Sequence, residues 1–536
     1  MNHNMKNHRA SEWKIARRGG VLAGIAAALL IAGCGGGGGG GSTATASSSG
    51  ETVLRVESAV QPADAAVPSR EAARSEAGPQ PVRVALAALQ SVQAEETGRH
   101  GGPRKVGTLR TVPGTASAAA LAGRLQWTPA SDGGLRAAIS FTAEDAYGVR
   151  LGVLVRRLPE SARLRVYRQD RPDAAYETRG SDVLQILARN AAAGDTSDAA
   201  KTWWTPDTGG SEATLEIDLP AGTPADALDI AIPSLVHIQE DLSLSSSGDD
   251  APVAKNVGDA VACNLDSTCY DDYAQQRNAV ARMVFVDSTG AHFCTGTLLN
   301  DRDGTRTPYF LTANHCIPSQ TVASTLQTDW FFRSSSCNNR TLSPGAATRT
   351  GGAVLLYSGA DTDTAFLRLN DAPPPGAVFA AWDAGPQAES SAIVGIHHPR
   401  GDLQRISFGS IMGTLACSGD LDSLTCDSAT GDAANYYDVS LDRGTVEHGS
   451  SGSALFQGGR VIGTLYGYSG AGQCSADGVR LYARFDHAYQ AALKQWLSPA
   501  TPARHRGHQP RVLPHHGHSG HGTPAAPQEA ASVAQG

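Results

Sequence analysis

Gly449-Ser450-Ser451-Gly452-Ser453 closes a series that begins with Tyr309-Phe310-Leu311-Thr312-Ala313-Asn314-His315-Cys316 and passes through Asp363-Thr364-Ala365-Phe366-Leu367-Arg368-Leu369. Each piece has a plain reading. A Gly/Ser run is most often a turn. A single histidine is more often structural than reactive. Asp363 can be a strand-entry residue, with Asp361 as its rival. Together they supply a chemistry that none supplies alone. A hydroxyl is a weak nucleophile at neutral pH, so it needs an imidazole to take its proton, and the imidazole needs a carboxylate to fix its tautomer. A serine flanked by glycines can sit on a tight turn whose backbone N–H groups converge on an oxyanion.

The order His, Asp, Ser differs from the Ser, Asp, His order of α/β-hydrolases, and Ser453 stands where a G-x-S-x-G elbow needs its last glycine. The series lies inside a cysteine-bearing segment. Of nine cysteines, Cys34 stands alone and eight fall between Cys263 and Cys474. An even set in one segment reads as up to four disulfides, hence an oxidising compartment. The lack of a CxxC pair argues against a zinc ribbon.

Working outward, Asp241–Asp259 is rich in Ser, Gly and Asp and reads as a linker over 241–260. Before it, residues 82–240 carry short apolar strands such as Ala137–Phe141, Leu151–Val155, Leu164–Tyr167, Ala213–Ile217 and Leu228–Ile232, with one helix over Ser181–Asn190. This spacing predicts a small β-sandwich. It holds only His100 and His237, neither beside a carboxylate pattern, and no chemistry is read in it. Residues 261–498 form a second unit of short strands closed by an amphipathic helix over Tyr489–Leu497. The His-rich tail 499–536 reads as disordered and solvated; its histidines have no metal-ligand spacing.

At the other end, Lys6, Arg9, Lys14, Arg17 and Arg18 precede an apolar run from Gly20 to Gly33 that is too short to span a bilayer. Residues 1–33 read as a signal peptide. Its end, Leu30-Ile31-Ala32-Gly33-Cys34, resembles the bacterial lipobox, which implies lipidation at Cys34. Residues 34–81 read as a disordered Gly/Ser/Ala/Pro-rich linker. The formal charge is −8 (44 basic against 52 acidic side chains), which argues against a nucleic-acid binder.

The segment 263–497 resembles the chymotrypsin-fold serine endopeptidases, most closely their bacterial lysyl endopeptidase branch. Thr312–Cys316 is similar to T-A-x-H-C, Asp363–Leu369 to D-x-x-L-L-x-L, and Gly449–Ser453 to G-S-S-G-S. Ile396-His397-His398-Pro399, Arg405-Ile406-Ser407 and Ala381-Trp382-Asp383 match as well. The resemblance implies an all-β double barrel with a C-terminal helix, behind a pro-region-like sandwich. It implies Ser451 as nucleophile, His315 as general base and then acid, Asp363 as the group that orients it, and the N–H groups of Gly449 and Ser451 as oxyanion hole. It implies disulfides Cys263–Cys474, Cys269–Cys337 and Cys294–Cys316; Cys417 and Cys426, nine apart, read as closing a local loop. No cofactor or metal is implied.

Two departures stand out. Digestive-type relatives carry Asp before the nucleophile, where it pairs with the freed N-terminus; here that residue is Ser450, so the pro-region is expected to cover the cleft or assist folding. The lysyl branch has an acid where ungapped alignment places Arg480; Asp477 lies three residues upstream, and Thr445 stands six before Ser451. A pocket without a carboxylate does not favour a cation. Against this, no lysine occurs between Lys255 and Lys494, as a lysine-cutting enzyme freeing itself at Lys255 would require. His397 and His398, adjacent on a strand, face opposite ways and read as structural.

The expected protein is a serine endopeptidase precursor, secreted or anchored in the cell envelope through Cys34, acting as a monomer on protein or peptide substrates. The alternative is a surface lipoprotein that binds without catalysis.

Overall fold

The computed structural model describes residues 14–16, 54–65, 77–89, 100–242, 260–469 and 474–500. Cys34, the apolar run before it, Lys255 and the histidine-rich tail lie outside the described residues. Among the described residues no helix is long and apolar enough to cross a membrane.

In the N-terminal region β1 (Val82–Leu86), β2 (Arg104–Thr111), β3 (Leu135–Ala143), β4 (Gly148–Arg157), β5 (Arg163–Arg168), β6 (Arg171–Arg179), β7 (Glu212–Leu219) and β8 (Asp229–Ile238) form two sheets, with α1 (Gly180–Ala192) beside them. One sheet runs β6-β5-β7-β3-β1 and the other contains β4, β8 and β2. Alternating apolar residues meet between them: Ile139, Phe141, Leu151, Val153, Leu215, Ile217, Ile232 and Leu235 are all buried in one core. This is the sandwich arrangement, in which each strand gives one face to the other sheet.

The second sheet does not stop at the sandwich. Strand β10 (Gly290–Leu299) pairs over Gly290–Thr297 with β9 (Val280–Asp287), and its first residues pair with β2, Gly290 opposite Thr108 and Phe293 opposite Arg104. Val106, Val236 and Ile238 from the N-terminal side pack against Val284, Val286, Ala291 and Phe293. The two regions expected as separate units thus share a sheet and a core.

Around β9 and β10 lie β11 (Tyr309–Ala313), β12 (Gln327–Trp330), β13 (Ala353–Gly359) and β14 (Thr364–Leu369), hydrogen-bonded in the order β13-β14-β11-β10-β9-β12. The ladder does not close. The second set does: β15 (Ala392–His397), β16 (Arg405–Ser418), β17 (Tyr436–Arg443), β20 (Val479–Arg484), β19 (Arg460–Ser469) and β18 (Ala454–Gln457) pair in a ring. A helical segment follows over Phe485–Leu497, longer at its start than the apolar pattern predicted. Its Phe485, Tyr489 and Leu493 pack against Trp382 in the core between the two strand sets.

One stretch corrects the sequence reading. Within the segment read as a disordered linker, Arg55–Val56 pairs with Trp382–Asp383, and Ala59–Val60 with Val378–Phe379. The Arg55 guanidinium reaches Asp383 at 2.8 Å. These few backbone bonds and the ion pairs Arg55–Asp383 and Glu57–Arg460 leave no periodic signature in so short a run.

The structure joins Cys263–Cys474, Cys269–Cys337, Cys294–Cys316 and Cys417–Cys426. Replacing the fully buried Phe141 by alanine is expected to cost about 3–5 kcal/mol by leaving a cavity between the sandwich sheets, read from the denaturant midpoint of the full chain.

Candidate active site

Strand register brings the first two groups together. β11 and β14 are antiparallel neighbours with Ala313 opposite Thr364. His315 lies two residues past the end of β11 and Asp363 one residue before β14, so both emerge at the same end of the pair. His315 Nδ1 is 2.7 Å from Asp363 Oδ2, and the other carboxylate oxygen accepts the His315 backbone N–H at 2.9 Å. One carboxylate therefore fixes both the ring and the peptide that carries it. Asp363 is 4 % exposed and holds φ at +43°, a left-handed conformation costing on the order of 1 kcal/mol. Its carbonyl accepts from Asn314 N–H, which keeps it there. The rival Asp361 instead gives its carbonyl to the Asn435 side chain.

Cys316 follows the histidine, and its bridge to Cys294 on β10 ties this turn to the neighbouring strand. Tyr466 covers the imidazole edge-on, with ring centroids 5.8 Å apart.

Ser451 enters from the loop between β17 and β18. Its carbonyl accepts from Thr295 N–H on β10 at 2.9 Å and lies 3.9 Å from Cys316 Sγ, so it sits against the turn that bears His315. Gly452 follows at φ +82°; a Cβ there would fall 2.1 Å from Thr312 Oγ1 and 2.4 Å from the Thr295 carbonyl, so only glycine permits this approach. Gly449 at φ +90° is the other special position. The His448 carbonyl accepts from Arg400 N–H at 2.6 Å. In a trans peptide the N–H points opposite the carbonyl, so this bond turns Gly449 N–H the other way, into the cleft. The Gly449 carbonyl is held by Thr295 Oγ1 at 2.9 Å.

The cleft is filled by the chain itself. Gly449 N–H donates to the carbonyl of Gly102 at 3.0 Å, and Gly102 N–H donates to Ser451 Oγ at 3.1 Å. Two residues upstream, the His100 carbonyl accepts from Tyr468 N–H on β19 at 2.8 Å. The segment His100-Gly101-Gly102-Pro103 thus lies across the loop, with Gly101 and Gly102 at φ +93° and +113° and one carbonyl on the backbone donor beside the serine. His315 Nε2 is buried and makes no hydrogen bond among the described residues. Sequence reasoning assigned no role to this segment because its contacts are made by backbone atoms of residues almost without side chains.

Arg480 on β20 lies opposite Tyr468 in the sheet, one strand from the residue that holds His100. It is 3 % exposed. Its guanidinium donates to the carbonyls of Ser475 and Gly478. Burial lowers its pKa, against a smaller opposing pull from the Tyr482 and Tyr468 phenols. Asp477 is exposed and Thr445 buried.

Cys294, His315 and Cys316 have ligand atoms within 4.8 Å of one another, but both sulfurs are in the disulfide and are not free thiolates. A half-buried imidazole oriented by a carboxylate, an alcohol against the same turn, and an outward backbone N–H form a set suited to acyl transfer. Replacing Asp363 with asparagine is expected to lower kcat by about 10⁴-fold through the wrong imidazole tautomer, with KM little changed, measured by steady-state kinetics on peptide substrates.

Two family models match the chain: "Lysyl endopeptidase, C-terminal domain" over residues 257–485 and "Lysyl endopeptidase N-terminal domain" over 78–239. A lysyl endopeptidase of Pseudomonas aeruginosa is 29 % identical over 369 residues, which cover 66 % of this chain and 72 % of that protein. Secreted RxLR effector protein 73 of Plasmopara viticola is 30 % identical over 145 residues, covering 26 % and 33 %. The Rv3671c protease of M. tuberculosis in its active form superimposes over 48 % of this chain and 96 % of its own, at 16 % identity and a TM-score of 0.29, too low to carry weight.

Proposed function

Since the chain belongs to the trypsin-like serine endopeptidases, with both domains of the lysyl endopeptidases, we propose that Ser451, His315 and Asp363 hydrolyse peptide bonds through an acyl-enzyme. The observation that carries this reading is the His315–Asp363 pair at 2.7 Å beside an outward-facing Gly449 N–H. Ser451 Oγ attacks the carbonyl carbon as its proton passes to His315 Nε2. The oxyanion forms on the N–H groups of Gly449 and Ser451. The imidazolium, stabilised by Asp363, then protonates the leaving amine, and water reverses the sequence to release the acid.

The protein is a precursor, exported by its N-terminal segment and retained at a membrane if Cys34 is lipidated. Until the sandwich leaves, His100–Pro103 occupies the cleft, with Gly101 and Gly102 in a left-handed backbone that an L-residue substrate rarely adopts. Gly102 offers no side chain, so it supplies little of the binding energy that drives cleavage. Pro103 puts a ring in place of the leaving N–H.

Family membership and the lysine-free stretch after Lys255 support cleavage after lysine. Arg480 favours a second reading. A buried cation whose hydrogen-bond partners among the described residues are carbonyls, beside the backbone that grips the substrate, repels a lysine side chain and suits a neutral or acidic one.

Three measurements test these statements. Ser451→Ala is expected to abolish cleavage and labelling by an organophosphonate probe; a processed wild-type enzyme that takes no label is the non-catalytic binding protein instead. Matched peptides differing only in Lys, Arg, Ala or Glu before the scissile bond separate the two specificities, since preference for Glu or Ala over Lys removes the lysyl reading. In the precursor, the double substitution Gly102→Lys and Pro103→Ala is expected to create a cut after residue 102, seen by mass spectrometry and absent from wild type; with a non-lysyl pocket, the preferred residue takes the place of lysine.

A further inference from the structure

His397 and His398, read from sequence as structural, differ in what they touch. His397 is fully buried at the end of β15, and burial lowers its pKa to about 3, so the ring is neutral. Its two nitrogens meet two serines: Nδ1 lies 2.9 Å from Ser450 Oγ and Nε2 3.0 Å from Ser407 Oγ. The protons can be followed from one end. Ser407 Oγ donates to the Thr445 carbonyl at 2.9 Å, so its own lone pair must accept from His397, which places the ring proton on Nε2. Nδ1 is then an acceptor, and Ser450 Oγ donates to it. Ser450 Oγ accepts in turn from Glu447 N–H at 3.1 Å. The chain Glu447 N–H, Ser450, His397, Ser407, Thr445 C=O has one consistent direction and leaves neither ring nitrogen unsatisfied.

Both ends of that chain lie in the loop that carries Gly449 and Ser451. Thr445 and Glu447 are its entry, Ser450 is the residue before the proposed nucleophile, and all three are buried. We propose that His397 is a positioning residue which, through Ser450 and Ser407, sets the oxyanion loop inside the precursor, so that activation consists of unblocking the cleft and needs no ion pair from a newly freed N-terminus. This rests on the serine-protease reading above and extends it to how the site is switched on. Gly449 N–H already faces the cleft in the uncleaved chain, where it holds the Gly102 carbonyl. A competing anchor exists. The buried Glu447 carboxylate accepts from Val261 N–H at 3.0 Å and Asn264 Nδ2 at 2.7 Å, near the start of the protease region, and could instead receive a new α-ammonium group.

The test uses enzyme processed from the full-length precursor and assayed on a peptide it demonstrably cleaves. Acetylation of amines modifies the new α-amino group and Lys494, the only lysine after Lys255. The expected result is kcat/KM within twofold of untreated enzyme; a loss beyond tenfold overturns the proposal and points to the Glu447 pairing. Ser450→Ala and His397→Gln are expected to lower kcat roughly 10²-fold with KM nearly constant, the mark of a misplaced oxyanion donor. Folded variants with wild-type kcat overturn it. If neither variant folds, the acetylation result decides. Absence of any activity in unmodified, processed enzyme would instead fail the serine-protease reading itself.

Discussion

A backbone N–H can serve an oxyanion only if its own peptide unit cannot turn round, and much of this site is arranged around that constraint. The 448–449 peptide is held by its carbonyl on Arg400 N–H, and the next carbonyl by Thr295 Oγ1. Thr295 Oγ1 also accepts His398 N–H, and Thr295 N–H takes the Ser451 carbonyl. One residue of the open strand set thus holds both sides of a loop belonging to the closed barrel. Buried polar groups left unpaired are costly, so a loop with its carbonyls satisfied in this orientation resists flipping.

The pair His315–Asp363 is fixed by different means. It follows from antiparallel register between β11 and β14, which places the two strand ends side by side, and from a carboxylate that bonds both the ring and the backbone of the same histidine. The left-handed Asp363 is a local cost tolerated because Asn314, His315 and the strand pairing all depend on its position. Strain of this kind is held where the surrounding structure overdetermines it.

Much of this was legible in the sequence. His315 and Asp363 stand at ends of apolar runs, Ser451 lies between glycines, and residue type together with order pointed to their joint chemistry. The sandwich strands and α1 were visible from alternation and turn spacing. What was not legible depends on atoms that every residue has. His100–Pro103 acts through its main chain, so its side chains carry no signal of the role. The strands at Arg55–Val56 and Ala59–Val60 are too short for periodicity. The closure of only one strand ring depends on long-range pairing that no local pattern encodes. His397 reads from sequence as structural, yet its tie to Ser450 lies across 53 residues of sequence.

The seam between β2 and β10 has a consequence for how the sandwich departs. Cutting the connecting segment severs a covalent link but leaves the shared ladder and the apolar contacts of Val106, Val236 and Ile238 with Val286 and Phe293 in place. A nicked molecule would hold its former N-terminal half as a bound ligand, and stripping it away uncovers a raw strand edge backed by greasy side chains.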